Sequence, residues 1–192
     1  MAAIKAKILS TNPGLTIVDI SHQVEPCDIA HGAYVLRSVF RDFPKGTVHL
    51  TAVHATGDAE SAYLALQLED HYFVGIDNGL LGLVSDKQHQ NLIELNSINA
   101  ITTSFPERDI LAPAAARLAS GVSISTLGKP LEDFRKLVSR RVKATRKQIL
   151  GHVIRVDRFG NLITNIDKTD FDILSKDKGF TVQFGGEKFR RI

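Results

Sequence analysis

Tyr63-Leu-Ala-Leu-Gln-Leu68, Glu69-Asp70 and His71-Tyr-Phe-Val-Gly-Ile76 form one continuous passage: two six-residue apolar runs separated by two turn-forming acids. β-branched and aromatic residues on either side of a two-residue break predict a β-hairpin. Upstream, Thr47 to Val53 reads as a further short strand, closed off from the preceding segment by Pro44-Lys-Gly46. Cys27 to Phe40 carries Ile29, Ala33, Leu36, Val39 and Phe40 at helical spacing, with Pro26 and Asp28 at its start. Downstream, Ile110 to Leu118 is rich in alanine, has Pro113 in its first turn and stops at Gly121, which predicts a helix packed closely on a sheet. Near the N-terminus, Ile4 to Leu9 runs into Ser10-Thr-Asn-Pro-Gly14, a helix stop, and Leu15 to Ile20 reads as a buried strand. Helices alternating with strands through residue 121 predict an α/β fold with a mainly parallel sheet.

After residue 134 the pattern changes. Arg135, Lys136, Arg140, Arg141, Lys143, Arg146 and Lys147 follow one another with no acid between them. Ile149 to Val156, Leu162 to Ile166 and Phe180 to Phe184 are then strand-like, with helical character only around Phe171 to Leu174. The expected organisation is an N-terminal α/β domain over 1–134, a basic linker over 135–148 and a smaller C-terminal β domain over 149–192.

The 192 residues, 43% of them hydrophobic and 23% charged, have the balance of an ordinary globular chain, which excludes low-complexity and fibrous classes. No run approaches the ~18 apolar residues of a membrane span, and the start lacks the apolar core of a secretory signal. A cytoplasmic protein with no membrane partner is expected. Cys27, the single cysteine, excludes an internal disulfide and a multi-cysteine metal site, and reads as a buried free thiol. The seven histidines show no His-Glu-x-x-His spacing, so no metal site is expected. A net charge of +3 does not by itself imply nucleic acid. The basic run could bind RNA by counterion release, but it lacks interleaved aromatic residues after Phe134 and reads first as a solvated linker.

Four polar clusters remain as candidates for chemistry. Asp19-Ile-Ser-His22 follows an expected strand and is either a turn cap or an Asp–His dyad. Asp77-Asn78-Gly79 is either a turn or a ligand contact. Phe105-Pro-Glu-Arg-Asp109 precedes the alanine-rich helix, where Asp109 could cap it and Arg108 be a surface charge. Asp157-Arg-Phe-Gly-Asn-Leu-Ile-Thr-Asn165 offers a carboxylate for an ammonium, an aromatic face and amides for a heterocycle edge. Its plainer reading is a Gly-Asn turn with a buried phenylalanine.

Taken in order, Asp19-Ile-Ser-His22, Asp77-Asn-Gly-Leu-Leu81, Arg108-Asp-Ile-Leu-Ala-Pro-Ala-Ala-Ala116 and Asp157 to Ile166 resemble the S-adenosyl-L-methionine hydroxide adenosyltransferases, relatives of the fluorinase and chlorinase. The resemblance implies an enzyme that hydrolyses S-adenosyl-L-methionine to adenosine and L-methionine by attack of water or hydroxide at ribose C5′. It implies no cofactor beyond that substrate, and a homotrimer with sites between the N-terminal domain of one subunit and the C-terminal domain of the next. It places Asp157 at the methionine ammonium, Phe159 and Asn161 at the nucleoside, and Asp77 and Asn78 among the substrate contacts.

The departures are specific. The family's Asp-Pro-Gly-Val-Gly-Thr-x-Arg segment aligns with His54-Ala-Thr-Gly-Asp-Ala-Glu-Ser61, and its His-Gly-Arg-Asp becomes Pro106-Glu-Arg-Asp109. The acid, arginine and histidine associated with water activation are thereby replaced, and His54 is the candidate base in their stead. The family's opening Thr-Asp-Phe-Gly-type strand and its closing Asn-Ser-x-Gly-type segment are expected to lie beyond the two ends of this sequence, leaving both domains incomplete. Two alternatives stand beside the hydrolase: a protein that binds the nucleoside or sulfonium without turnover, and an RNA-associated protein using residues 135–147.

Overall fold

In the computed structural model, Glu69 and Asp70 both take left-handed backbone, φ 51° and 64°, and turn strand β2 (Tyr63–Leu68) into strand β3 (His71–Ile76). The hairpin pairs every residue from Tyr63 opposite Ile76 to Leu68 opposite His71. Two consecutive positive-φ residues match the twist of the strands they join, so the turn fixes the register. The structure describes residues 1–54, 61–95, 103–138, 141–176 and 178–189. The chain divides into two compact units, Met1–Val138 and Ser139–Ile192.

The first unit is built on a five-stranded sheet. Strand β1 (Val48–Leu50) pairs parallel with β3, while β4 (Asn91–Glu94) pairs antiparallel with β2 and with β5 (Lys129–Pro130). The order β1-β3-β2-β4-β5 makes the sheet mixed, because the hairpin reverses the chain within it. Period-two alternation divides its side chains between two helical layers. Leu64, Leu66, Leu68 and Phe73 pack with Ala33, Leu36 and Phe40 on the side of helix α2 (Ile29–Val39). Ala65, Val74 and Ile93 pack with Ala114, Ala115 and Leu118 on the side of helix α3 (Ala112–Ala119), where alanine on both elements permits close approach. Helix α1 (Ala2–Thr11) lies against α3, with Asn12 Nδ2 donating to Ser120 Oγ at 2.9 Å.

Local signals explain the helix limits. Asp28 caps α2 by accepting from the His31 amide at 2.9 Å. Helix α3 ends in a Schellman arrangement: Gly121, φ 86°, donates to Leu118 O and Val122 donates to Arg117 O. Its entry is wider than an α-turn. Residues Glu107–Leu111 form a π-turn in which the Ala112 amide reaches back to Glu107 O, since Pro113 has no amide to offer Asp109.

The stretch Leu15 to Ile20, expected as a buried strand, is not one. It pairs with no described strand, and Val18 and Ile20 are exposed. Apolar composition gives a strand its face but not its neighbour, and no described strand lies in register beside this stretch. Cys27 is likewise exposed rather than buried, because it sits in the turn that precedes Asp28 and not on the apolar face of α2.

Among the described residues, the second unit holds three antiparallel ribbons and one short helix. β6 (Lys143–Ala144) pairs with β7 (Ile149–Leu150), β8 (Val153–Val156) with β9 (Leu162–Thr164), and β10 (Val182–Phe184) with β11 (Glu187–Phe189). Helix α4 (Lys168–Ser175) precedes the last ribbon, its Phe171 ring set edge-on to Phe180 at 4.9 Å. The expected strand from Ile149 to Val156 is broken at Gly151, where a Cβ would lie 2.4 Å from Ile166 Cγ1. An α/β unit followed by a smaller, mainly β unit is thus the architecture.

Candidate functional site

Three segments of the first unit converge where β1 and β3, running parallel, reach their C-terminal ends, the edge at which α/β sheets bind ligands. Asn78, buried at 7% exposure, ties two of them together: its Nδ2 donates to Val53 O at 2.8 Å and its Oδ1 accepts from the Leu80 amide at 3.0 Å. The third is the start of α2, whose Gly32 approaches so closely that a Cβ would meet Leu80 Cδ1 at 2.9 Å and Val53 Cγ2 at 3.0 Å. Asp77 faces the other way. Its Oδ1 accepts from the Arg135 amide at 2.8 Å, and Gly79, φ 90°, leaves room for Leu137, which a Cβ would meet at 2.4 Å. The first residues of the basic run are therefore seated on the Asp77–Gly79 turn.

His54 follows Val53 with φ 52°, an uncommon backbone state for a non-glycine residue. Its Nδ1 lies 3.1 Å from the Sγ of Cys27, itself at φ 63°. Residues 55–60, which carry most of the segment aligned with the family's acid and arginine, lie outside the described residues. Beside Cys27, Glu25 Oε2 lies 2.8 Å from His31 Nδ1, and Glu25, Asp28 and His31 bring one ligand atom each to within 4.8 Å of one another. Sequence spacing alone missed both groupings, the first because residues 27 and 54 are remote in the chain.

The Arg108–Asp109 pair sits on the π-turn. Arg108 Nε and Nη2 donate to the two oxygens of Asp109 at 2.7 and 2.8 Å, and Thr103 Oγ1 donates to Oδ2. The Arg108 guanidinium and then the Thr103 hydroxyl hold the Asp109 carboxyl down at about 2, so it stays ionised at neutral pH. Asp109 does not cap α3, contrary to one reading of its position. At the N-terminal end, Asp19 does approach His22, 3.1 Å from its Nε2, and also binds Lys5, which lowers its pKa first, with His22 second.

In the second unit, Asp157 organises a tight loop. Its Oδ1 accepts from the amides of Phe159 and Asn161 at 2.8 and 2.9 Å, and its Oδ2 accepts from Asn161 Nδ2 at 2.8 Å. The Asn161 side chain and then its amide lower the pKa of this carboxyl. Gly160 supplies φ 84° at the corner. Phe159 is 82% exposed, so the reading of a turn around a buried phenylalanine does not hold; three hydrogen bonds to the Asp157 carboxylate close the turn without the ring. The Arg158 guanidinium lies 5.9 Å from the centroid of the Phe159 ring. The loop presents an ionised carboxylate edge and an exposed aromatic ring.

Comparison with known proteins follows the division into two units. Residues 1–128 match the profile of the SAM hydroxide adenosyltransferase N-terminal domain and residues 151–192 that of the C-terminal domain. The chain is 32% identical over 177 residues to an (R)-S-adenosyl-L-methionine hydrolase of Methanocaldococcus jannaschii, an alignment covering 88% of this chain and 63% of the relative. It is 28% identical over 207 residues to a fluorinase of Actinoplanes sp., covering 90% and 68%. A crystal structure of a conserved protein from Thermotoga maritima superposes with a TM-score of 0.88 at 31% identity, over 98% of this chain and 75% of that one. The chain thus spans about two thirds of the length of the curated relatives it matches.

Proposed function

Because the chain belongs to the SAM hydroxide adenosyltransferase family, we propose that it hydrolyses S-adenosyl-L-methionine to adenosine and L-methionine. Water or hydroxide forms the C5′–O bond as the C5′–S bond breaks, the electron pair passes to sulfur, and the water proton passes to a base. The observation that carries this reading is the match of both family domains in order, with the hydrolase relative nearer in sequence than the fluorinase, 32% against 28%.

A sulfonium leaves as a neutral thioether, so the protein's task is chiefly to hold the nucleophile in line with C5′ and sulfur. In this proposal Asp157 meets the methionine ammonium, one carboxylate serving both its own loop and the ligand, since it has about four acceptor positions. Phe159 offers its exposed ring to the nucleoside, and Asn161 an amide. Asp77 and Asn78 contribute through the backbone they hold at Val53, Leu80 and Arg135. His54 is the base. In the tautomer this role requires, Nδ1–H donates to the Cys27 sulfur and Nε2 is the nitrogen left to take a proton. A homotrimer belongs to the same proposal.

The test is chromatographic analysis of S-adenosyl-L-methionine incubated with the chain. Equal release of adenosine and methionine is the expected result. Tight binding with no adenosine formed would replace the hydrolase with a nucleoside- or sulfonium-binding protein.

A further inference from the structure

Glu25, Asp28 and His31 stand at the start of α2, outside the substrate contacts assigned above. We propose that they form a binding site for one divalent first-row transition cation, held by an imidazole nitrogen and two carboxylate oxygens and completed by water.

Spacing is the first argument. Donor atoms that share a cation at ~2.0–2.2 Å stand roughly 3–4.4 Å from one another. Here the three donor atoms lie within 4.8 Å, and Glu25 Oε2 is 2.8 Å from His31 Nδ1, already close to the edge of such a polyhedron. Small side-chain movements complete it.

Preorganisation is the second. The His31 side chain, 7% exposed, is fixed by its place on the buried face of α2. Asp28 Oδ1 accepts from the His31 amide, so the carboxylate is already aimed along the same turn, and its Oδ2 can ligate without uncapping the helix. Glu25, 61% exposed, is the movable ligand and the open side through which an ion enters. The set is thus two fixed donors and one mobile one.

Donor chemistry sets the class of ion. Two oxygens alone would suit magnesium or calcium, whereas the imidazole shifts preference toward manganese through zinc. The positive end of α2 opposes a cation, and the second carboxylate offsets it, so the affinity expected is micromolar rather than that of a structural zinc. Glu25 and Asp28 flank Cys27, so a bound ion would also steady the turn that carries the Cys27 sulfur to His54.

Cobalt(II) is the probe, followed by its visible absorption and by calorimetry on the intact chain, with no dependence on turnover. One equivalent should bind, with excess magnesium failing to displace it. Glu25→Gln and Asp28→Asn should each weaken binding at least about tenfold. Asparagine preserves the helix cap, and Glu25 is exposed, so both variants should fold. His31→Gln should abolish the site. Absence of binding at millimolar cobalt overturns the proposal, as does binding of equal strength in Glu25→Gln and Asp28→Asn, which would place the ion on other histidines.

Discussion

Cys27 Sγ and His54 Nδ1 meet at 3.1 Å across two turns, and each residue holds a left-handed backbone, φ 63° and 52°. Among the described residues, the other non-glycine positions in that region are Glu69 and Asp70 of the β2–β3 turn, where the strand twist demands it. Cys27 takes it as the third residue of the turn from Glu25 to Asp28, which the Asp28 amide closes by donating to Glu25 O at 3.1 Å, whereas His54 follows the end of β1. Backbone strain that is not required by a hairpin tends to mark a functional segment.

The strain makes residue 54 discriminating in a way that separates folding from chemistry. Asparagine tolerates positive φ, so His54→Asn should melt within a few degrees of the parent, while β-branched His54→Val should lose roughly 1–3 kcal/mol. Both should lower hydrolysis about 10²–10⁴-fold if the imidazole is the base. Calorimetric melting and product analysis on the same samples check the two effects; undiminished turnover in His54→Asn would remove the base assignment.

The Asp157 loop predicts a split between binding and stability. Phe159 is 82% exposed, so Phe159→Ala should leave the melting temperature unchanged yet weaken S-adenosyl-L-methionine in titration calorimetry. Asp157→Asn sets an amide against Asn161 Nδ2, and loss of a charge-assisted bond should cost about 1–3 kcal/mol of binding. Unchanged affinity in both variants would make the loop a structural turn alone.

Buried histidines set an acid limit. His49 Nε2 and His71 Nδ1 stand 3.2 Å apart among Phe40, Phe43 and Phe73. Burial, with His71 beside it, lowers His49 from 6.5 to about 4, and burial lowers His71. A base with a depressed folded-state pKa binds its proton more readily unfolded, so stability is full above 6.5 and falls as pH drops toward 4. Glu69, drawn down from 4.5 to about 2 chiefly by Arg41, loses its contribution at lower pH. Urea midpoints measured from pH 7 to 4 should therefore fall, and His49→Phe should flatten that decline.

Gly79→Ala tests the seat of the basic run. The new methyl would lie 2.4 Å from Leu137 Cγ in a backbone state that suits glycine, at a cost of roughly 1–3 kcal/mol. Protease cleavage at the lysines and arginines from 135 onward should accelerate in the variant, because the turn that holds them is displaced. An unaltered digestion pattern would mean that Asp77 alone anchors the segment.

Light scattering addresses assembly. A homotrimer is expected from the family, and a monomer at all concentrations would remove that part of the proposal.

Much of the first unit was legible locally. Glu69-Asp70 between two apolar runs is a complete instruction for a hairpin, and the structure pairs those runs residue for residue. Asp28, Pro113 and Gly121 mark helix ends because capping acts on the next few amides and needs no distant partner. The family was legible for a related reason: Asp157 to Asn161 closes its loop with bonds among five adjacent residues, so its chemistry is written in one stretch.

What the order of residues could not decide were the meetings of distant segments. Leu15 to Ile20 has the composition of a strand, but a ladder needs a neighbouring strand in register, and that is a property of the assembled sheet. Cys27 looked like core packing until the turn before Asp28 carried it to His54. Sequence by itself determined the hairpin, the helix ends and the Asp157 loop, because those rest on bonds between neighbours. Tertiary structure alone decided which side chains share a site: Asn78 with Val53, Cys27 with His54 and Asp77 with Arg135 are joined by how the sheet stacks its ends, and nothing local encodes such contacts.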